Sequence, residues 1–110
     1  TDIDQERADK GVAWVKNELA KLVEKKRMSP ESAGRLALLI SGSADQSVFA
    51  GCDFVIEAIF EELSLKQELF KKLEGIVSAE CVLATNTSSL SVERMTEGLK
   101  NPERVVGFHF

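Results

Sequence analysis

Polar side chains follow two apolar stretches of the sequence, at the points where each stretch ends. Residues 81–85 run into Asn-Thr-Ser-Ser at residues 86–89, and residues 105–108 run into His109. Both stretches are typical of buried strands in a parallel sheet, and in open parallel sheets the ligand crevice lies beyond the carboxyl ends of the strands. We therefore expect any chemistry of this chain to be located at these strand ends.

The side-chain types at these ends suit an active site. The amide of Asn86 and the hydroxyl groups of Thr87, Ser88 and Ser89 can hold a substrate oxygen or a cofactor amide. His109 is the only histidine of the chain, and imidazole exchanges protons near neutral pH, as a general acid or base requires. The alternative is that the polar run is a turn followed by a helix cap and that His109 is a hydrogen-bonded core residue. Spacing alone favours this alternative.

Helices must hold these strand ends in place, and the sequence alternates accordingly. Apolar residues at three- and four-residue spacing predict a long helix over residues 5–27, with Asp4 as its cap. Ser29 caps a second helix, and a capping box at residues 64–67 begins a third. The remaining predicted elements are strands at residues 39–44, 53–59, 81–85 and 105–110 and a helix at residues 92–99. Strands that alternate with helices through short connections predict right-handed crossovers and an α/β fold with a parallel sheet.

Length and composition restrict the functional class. A chain of 110 residues can form one small domain, and its net charge of -4 gives no reason to expect binding to nucleic acid or to an anionic membrane. No apolar run approaches the roughly 20 residues of a membrane span, and no signal-peptide pattern opens the chain, so we expect a cytoplasmic protein. Cys52 and Cys81 lack metal-ligand spacing, so we expect free thiols and no metal site.

Several longer motifs carry a resemblance to a known family. Residues 83–90, followed by Pro-Glu-Arg-Val-Val-Gly-Phe-His-Phe at residues 102–110, resemble the NAD-dependent L-3-hydroxyacyl-CoA dehydrogenases of fatty-acid β-oxidation and butanoate metabolism. The similarity extends through residues 53–66 and the helical stretch at residues 9–28, and so covers essentially the whole chain. The resemblance implies a Rossmann-like parallel sheet flanked by helices, NAD as the cofactor and a 3-hydroxyacyl-CoA as the substrate.

The resemblance also implies roles for residues at the strand ends. His109 matches the family's catalytic base, which takes the proton of the 3-hydroxyl group as hydride leaves C3 for the nicotinamide. Ser88 matches the serine that hydrogen-bonds the substrate oxygen and approaches the nicotinamide, and Asn86 matches a neighbouring residue of the same pocket. The glutamate that orients the histidine in the family has no counterpart among these residues.

Three further residues match the cofactor side of the family's cleft. Glu61 and Lys66 correspond to an acid and a lysine there, although spacing alone favours a surface pair beside a helix start. Asp2 corresponds to the acid that holds the adenosine ribose, and a carboxylate at this point favours NAD over NADP because it repels a 2′-phosphate. Lysines on the first helix match a region near the CoA moiety in the family, or simply form a solvated face.

The chain departs from the family pattern in one main respect. No Gly-x-Gly-x-x-Gly motif occurs, although dinucleotide-binding folds carry one between the first strand and the first helix. We therefore interpret residues 1–110 as a partial NAD-binding domain that lacks the first strand and the glycine-rich loop, is inactive alone, and forms a homodimer through an unpaired strand edge. The alternatives are a non-catalytic, truncated Rossmann-like binding module and a dehydrogenase of another 3-hydroxy acid.

Overall fold

A long amphipathic helix dominates the first of the two units into which the chain folds, residues 1–46 and 47–110. The computed structural model describes residues 1–110 throughout. Helix α1 spans Gln5–Glu24, and Asp4 caps it as predicted, because its carboxylate accepts a hydrogen bond from the Arg7 N–H at 2.8 Å. This bond satisfies a donor that has no partner inside the helix. In the predicted apolar stripe Ala8 is buried and the other members are half-buried.

No strand forms directly after the second helix. Helix α2 spans Pro30–Leu38 and is capped by Ser29, as predicted. The predicted strand at residues 39–44 is wrong. The Gly42 carbonyl accepts a hydrogen bond from Gln5 Nε2 at 3.1 Å, and the Ala44 N–H donates to Gln5 Oε1 at 3.1 Å. A side chain of α1 thus takes backbone groups that a neighbouring strand would otherwise bind.

The second unit contains a parallel sheet of three strands in the order β1-β2-β3. The strands are β1 (Phe54–Glu57), β2 (Val82–Thr85) and β3 (Val105–Gly107), each shorter than predicted. A 3-10 helix over Gln46–Gly51 precedes β1. The parallel sheet and the order of strands and helices in this unit confirm the predicted α/β class.

Two helices cover one face of this sheet. Helix α3 spans Leu63–Glu74, and the short helix α4 spans Val92–Met95, ending before the predicted Leu99. The buried cluster between the helices and the sheet contains eight residues, namely Val55, Phe70, Leu73, Val77, Cys81, Leu83, Met95 and Val105. The predicted capping box is wrong: α3 begins before Ser64, and the Ser64 hydroxyl donates to the Glu62 carboxylate at 2.8 Å.

The loop that leads into β3 is fixed by Glu74 at the end of α3. Its carboxylate accepts hydrogen bonds from the Lys100 and Asn101 N–H groups, each at 2.8 Å, and lies 3.6 Å from the Arg104 guanidinium. Burial raises the pKa of Glu74, but these hydrogen bonds and the positive charge of Arg104 outweigh burial and hold the pKa below its usual value. The start of β3 is thereby tied to α3.

The opposite face of the sheet carries exposed apolar side chains. Phe54 and Phe108 lie there in an edge-to-face contact, with ring centroids 6.1 Å apart. Cys52 and Cys81 are free thiols, as predicted, and burial raises the pKa of Cys81, which keeps that thiol protonated and unreactive. None of the helices combines the length and hydrophobicity that crossing a bilayer requires.

Candidate functional site

The carboxyl ends of the three strands meet at one edge of the sheet. Glu57 of β1 is in register with Thr85 of β2, and Thr85 is in register with Gly107 of β3. The polar run after β2 and the histidine after β3 therefore leave the sheet at the same edge, as predicted from the sequence. Glu57 joins these residues from the structure, because no motif in the sequence assigns it a function.

A buried ion pair lies directly below this edge. The Lys66 ammonium donates to both carboxylate oxygens of Glu57, at 2.6 and 2.9 Å, and both side chains are 1% exposed. The Thr85 hydroxyl donates to the same carboxylate at 2.6 Å. Buried charges persist only when they are paired and hydrogen-bonded, and here every charged atom has a partner. The interpretation of Lys66 as half of a surface pair is therefore wrong.

The alternation of side chains along β1 indicates that Glu57 is buried. Side chains two residues apart lie on the same face of a strand, and Val55 and Glu57 are the two buried residues of β1. A glutamate in phase with the core residue must find a partner inside the protein. Helix α3 supplies that partner as Lys66, nine residues along the chain from Glu57.

Glu61 connects the ion pair to the turn after β2. One of its carboxylate oxygens lies 3.3 Å from the Lys66 ammonium. The other accepts hydrogen bonds from the Thr87 hydroxyl, the Ser88 N–H at 3.2 Å and the Ser89 hydroxyl at 3.2 Å. The hydrogen bond from Thr87, together with those from Lys66 and Ser89, outweighs burial and lowers the pKa of Glu61 to about 2.

This lowered pKa predicts a pH dependence of stability. A carboxylate whose pKa falls from its ordinary 4.5 to about 2 on folding stabilises the folded state fully above the ordinary value. That contribution is lost as the pH falls from about 4.5 towards 2, because the unfolded state then binds a proton that the folded state does not. Between about pH 5 and pH 2, the melting temperature of a Glu61→Gln variant is expected to fall less than that of the wild type.

The control for this pH series is Glu62→Gln, which changes the same charge at the neighbouring position. Glu62 is exposed and lies outside the Glu61 hydrogen bonds. Glu62→Gln should follow the wild-type curve of melting temperature against pH. If Glu61→Gln also followed the wild-type curve, the carboxylate of Glu61 would not be held ionised by the turn.

The predicted turn forms at residues 86–89, and it leaves one hydroxyl group free. The Thr87 hydroxyl oxygen accepts from the Leu90 N–H at 3.0 Å, and Ser91 caps α4, so the turn-and-cap interpretation is confirmed. It does not exclude a binding site. Ser88 is exposed, and its hydroxyl group has no hydrogen-bond partner in the chain, although its N–H is bound to Glu61.

His109 lies two residues beyond β3 and is exposed, so the interpretation as a core histidine is wrong. Both of its neighbours are anchored to the end of β2. The Phe108 N–H donates to the Thr85 carbonyl at 2.9 Å, and the Phe110 N–H donates to the Asn86 side-chain oxygen at 3.2 Å. The chain around His109 therefore runs beside the start of the Asn-Thr-Ser-Ser turn, with the imidazole free of protein partners.

Asp2 lies in the first unit, whereas the other predicted site residues lie in the second. Its carboxylate is exposed and accepts the N–H of Ile3 at 2.7 Å. It lines an open cleft of about 350 Å³ whose walls include Arg7, Trp14 and Gly42. A side chain at Gly42 would bring its Cβ within 2.9 Å of the Ala8 carbonyl oxygen, so this wall requires glycine. Nowhere in the chain do three His, Cys, Asp or Glu side chains converge as metal ligands would.

Comparisons with known proteins agree on one family. Residues 1–110 match the family described as 3-hydroxyacyl-CoA dehydrogenase, NAD binding domain. Among curated proteins, the fatty acid oxidation complex subunit alpha of Psychrobacter arcticus is 37% identical over 99% of this chain. The glyoxysomal fatty acid beta-oxidation multifunctional protein MFP-a of Brassica napus is 36% identical over 99% of this chain. The chain spans 15% of the length of each of these relatives.

Solved structures of the same type share the fold. The 3-hydroxybutyryl-CoA dehydrogenase of Escherichia coli superposes on 99% of this chain with a TM-score of 0.95 and 33% identity, and the match covers 23% of that chain. The (S)-3-hydroxybutyryl-CoA dehydrogenase of Ralstonia eutropha superposes on 100% of this chain with a TM-score of 0.89 and 34% identity, covering 39% of that chain.

Proposed function

Because this chain belongs to the 3-hydroxyacyl-CoA dehydrogenase family, as its NAD-binding domain, we propose that it is part of an NAD-dependent oxidoreductase acting on L-3-hydroxyacyl-CoA. The observation that carries the proposal is the presence of a free imidazole and a free hydroxyl after two neighbouring strands. His109 and Ser88 follow adjacent strands, and neither side chain has a hydrogen-bond partner in the chain. Side chains that form no hydrogen bond within the chain are available to bind a ligand.

The residues at the strand ends fit the nicotinamide side of NAD. A hydroxyl at Ser88 and a carboxylate at Glu61 supply a donor and an acceptor for amide and ribose groups. Glu61 is 38% exposed on its side chain, so it can be reached by a ligand. Lys66 takes part in the cofactor side of the site by holding Glu61, since its ammonium contacts the carboxylates of Glu57 and Glu61. Asp2 is proposed for the adenosine ribose, where a carboxylate favours NAD over NADP.

The bound cofactor would supply the site that accepts hydride from C3 of the substrate. The chain's own residues perform the proton chemistry. Ser88 donates a hydrogen bond to the substrate oxygen and fixes its orientation, with Asn86 shaping the same pocket. His109 removes the proton of the 3-hydroxyl group as the carbon is oxidised, and it returns a proton in the reverse reaction.

The wider setting of this chain is also a proposal. We propose a role in fatty-acid β-oxidation or butanoate metabolism, in a cytoplasmic protein that forms homodimers. The position of β1 at the edge of the sheet supports a further contact along this strand. The position of His109 supports a hydroxyacyl-CoA over other 3-hydroxy acids, since enzymes for the latter generally place a lysine base on a later helix.

The direct test is an activity assay on the complete gene product that carries this chain. NADH formation from NAD and L-3-hydroxybutyryl-CoA should be observed, with much less reduction of NADP. Ser88→Ala should lower kcat/KM by about a hundredfold, as expected for the loss of one donor to a reacting oxygen. Ser89→Ala is the matched control, because that hydroxyl is already bound to Glu61, and it should have a much smaller effect. NADH binding without turnover would favour the non-catalytic binding module.

A further inference from the structure

We propose that Glu57 is a positioning residue for the cofactor side of the site: it fixes the Lys66 ammonium, which in turn holds the Glu61 carboxylate against the turn at residues 86–89. The inference rests on the proposed function, because it assumes that Glu61 and Lys66 serve NAD binding. It adds a residue from the interior of the sheet that no ligand can contact. Glu57 would act only through its neighbours.

The geometry of the ion pair supports this role. Lysine carries its charge on a flexible four-carbon stem, and an ammonium group has no fixed geometry of its own. The position of the Lys66 nitrogen is therefore set by its acceptors. Glu57 supplies two of them, at 2.6 and 2.9 Å, and Glu61 supplies the third, at 3.3 Å. Glu57 makes the shorter contacts, so it determines where the ammonium lies and Glu61 adjusts to it.

Each member of this chain of contacts lies on a different element. Glu57 ends β1, Lys66 is on α3, and Glu61 lies in the connection between them. Residues 58–62 of this connection are all exposed, whereas β1 and α3 pack on the same buried cluster. The buried ion pair therefore transmits the rigidity of the core to an exposed carboxylate.

A second path runs from Glu57 to the same turn through β2. The Thr85 hydroxyl donates to Glu57 at 2.6 Å, and its oxygen accepts from the Thr87 N–H at 3.3 Å. Thr87 in turn donates its hydroxyl proton to Glu61. Glu57, Glu61 and the turn thus form a closed ring of hydrogen bonds. The Ser88 N–H is attached to this ring at Glu61, so the position of Ser88 depends on Glu57.

The primary test is the dissociation constant of NADH, measured by fluorescence titration of the complete gene product. Glu57→Gln keeps the shape of the side chain but places an NH₂ donor against the Lys66 ammonium, which displaces it. We expect NADH binding to weaken about tenfold and the kcat/KM of the hydroxyacyl-CoA to fall as well, because the position of Ser88 depends on Glu57. Glu62→Gln, with the same change in charge outside the ring, should bind NADH like the wild type.

A double-mutant cycle with Lys66→Met distinguishes positioning from general destabilisation. If Glu57 acts through Lys66, the losses of NADH affinity should be clearly less than additive, and only the path through Thr85 should add to the loss seen in Lys66→Met alone. Additive losses would overturn the proposal and leave the proposed function intact. Unchanged NADH binding in Lys66→Met would instead remove Lys66 from the cofactor side, and with it both the role of Lys66 in the proposed function and the role of Glu57.

A measurement without cofactor completes the test. Amide hydrogen exchange of Ser88 and Leu90 should accelerate in Glu57→Gln, because the ring that orders the turn is opened. Thr85→Val provides a milder second variant in case Glu57→Gln does not fold. It removes one hydrogen bond to Glu57 and leaves both charges of the ion pair, so it should accelerate the same amides to a smaller extent. The proposal would be overturned if these amides exchanged at the wild-type rate in Thr85→Val and Glu57→Gln either showed the wild-type rate or did not fold.

Discussion

Replacement of His109 by glutamine in the complete gene product is expected to lower turnover by about 10²–10⁴-fold, the usual contribution of a general base. NADH affinity should be nearly unchanged, because the imidazole is proposed to contact the substrate hydroxyl and not the cofactor. The backbone on both sides should keep its conformation, since Phe108 and Phe110 are anchored through their own N–H groups. Steady-state kinetics and an NADH titration on the same preparation separate these two effects.

Chemical rescue provides the control for this prediction. His109→Ala leaves space at an exposed position, and free imidazole added to the assay should restore part of the lost activity with a pH dependence that follows imidazole. A purely structural role of His109 would give no rescue. Unchanged turnover in His109→Gln would remove the residue from the mechanism altogether.

Replacement of Lys66 by methionine should cause the largest loss of stability at the site. Methionine matches most of the lysine stem but leaves the Glu57 carboxylate buried with only the Thr85 hydroxyl as its partner. Removing one member of a buried ion pair typically destabilises a protein by about 3–5 kcal/mol, because the remaining charge is uncompensated. Since whole domains are stable by only about 5–15 kcal/mol, this is a large fraction of the total.

Native-state hydrogen exchange in β2 is the suitable measurement, because it reports the opening free energy of one region in a larger protein. Leu83 and Ala84 lie in the middle of the sheet. The opening free energy measured at their amides should be smaller in Lys66→Met than in the wild type. Lys72→Met is the matched control on the same helix, since Lys72 is exposed and outside the ion pair. Equal exchange in the two variants would mean that the buried pair contributes nothing.

The parts of this protein that were predicted correctly are those that local sequence determines. Asp4 and Ser29 cap their helices because a short polar side chain before an amphipathic run satisfies free N–H groups of that helix. The core strands β1 and β2 were found because their apolar, β-branched composition is unusual outside a buried sheet. Both kinds of signal depend on neighbours along the chain, and no knowledge of the tertiary structure is needed to interpret them.

The errors arise where a distant residue decides the outcome. Residues 39–44 have the composition of a strand, but the side chain of Gln5 takes the backbone groups at Gly42 and Ala44. The sequence predicts Ser64 as the cap of α3, yet the helix begins at Leu63 with Glu62 in the cap position, and the Ser64 hydroxyl donates to the Glu62 carboxylate. In each case a hydrogen bond with a competing partner replaced the one that the local pattern predicted.

The sequence by itself therefore determined that an α/β chain with parallel strands would place Ser88 and His109 at neighbouring strand ends, because parallel strands end at the same edge of a sheet. Only the tertiary structure decided that Lys66 is buried, that Glu57 is its partner, and that the Glu61 carboxylate accepts hydrogen bonds from the turn after β2. The physical reason is that pairing of buried charges depends on distances between separate elements, and those distances are set by packing of the whole core rather than by spacing along the chain.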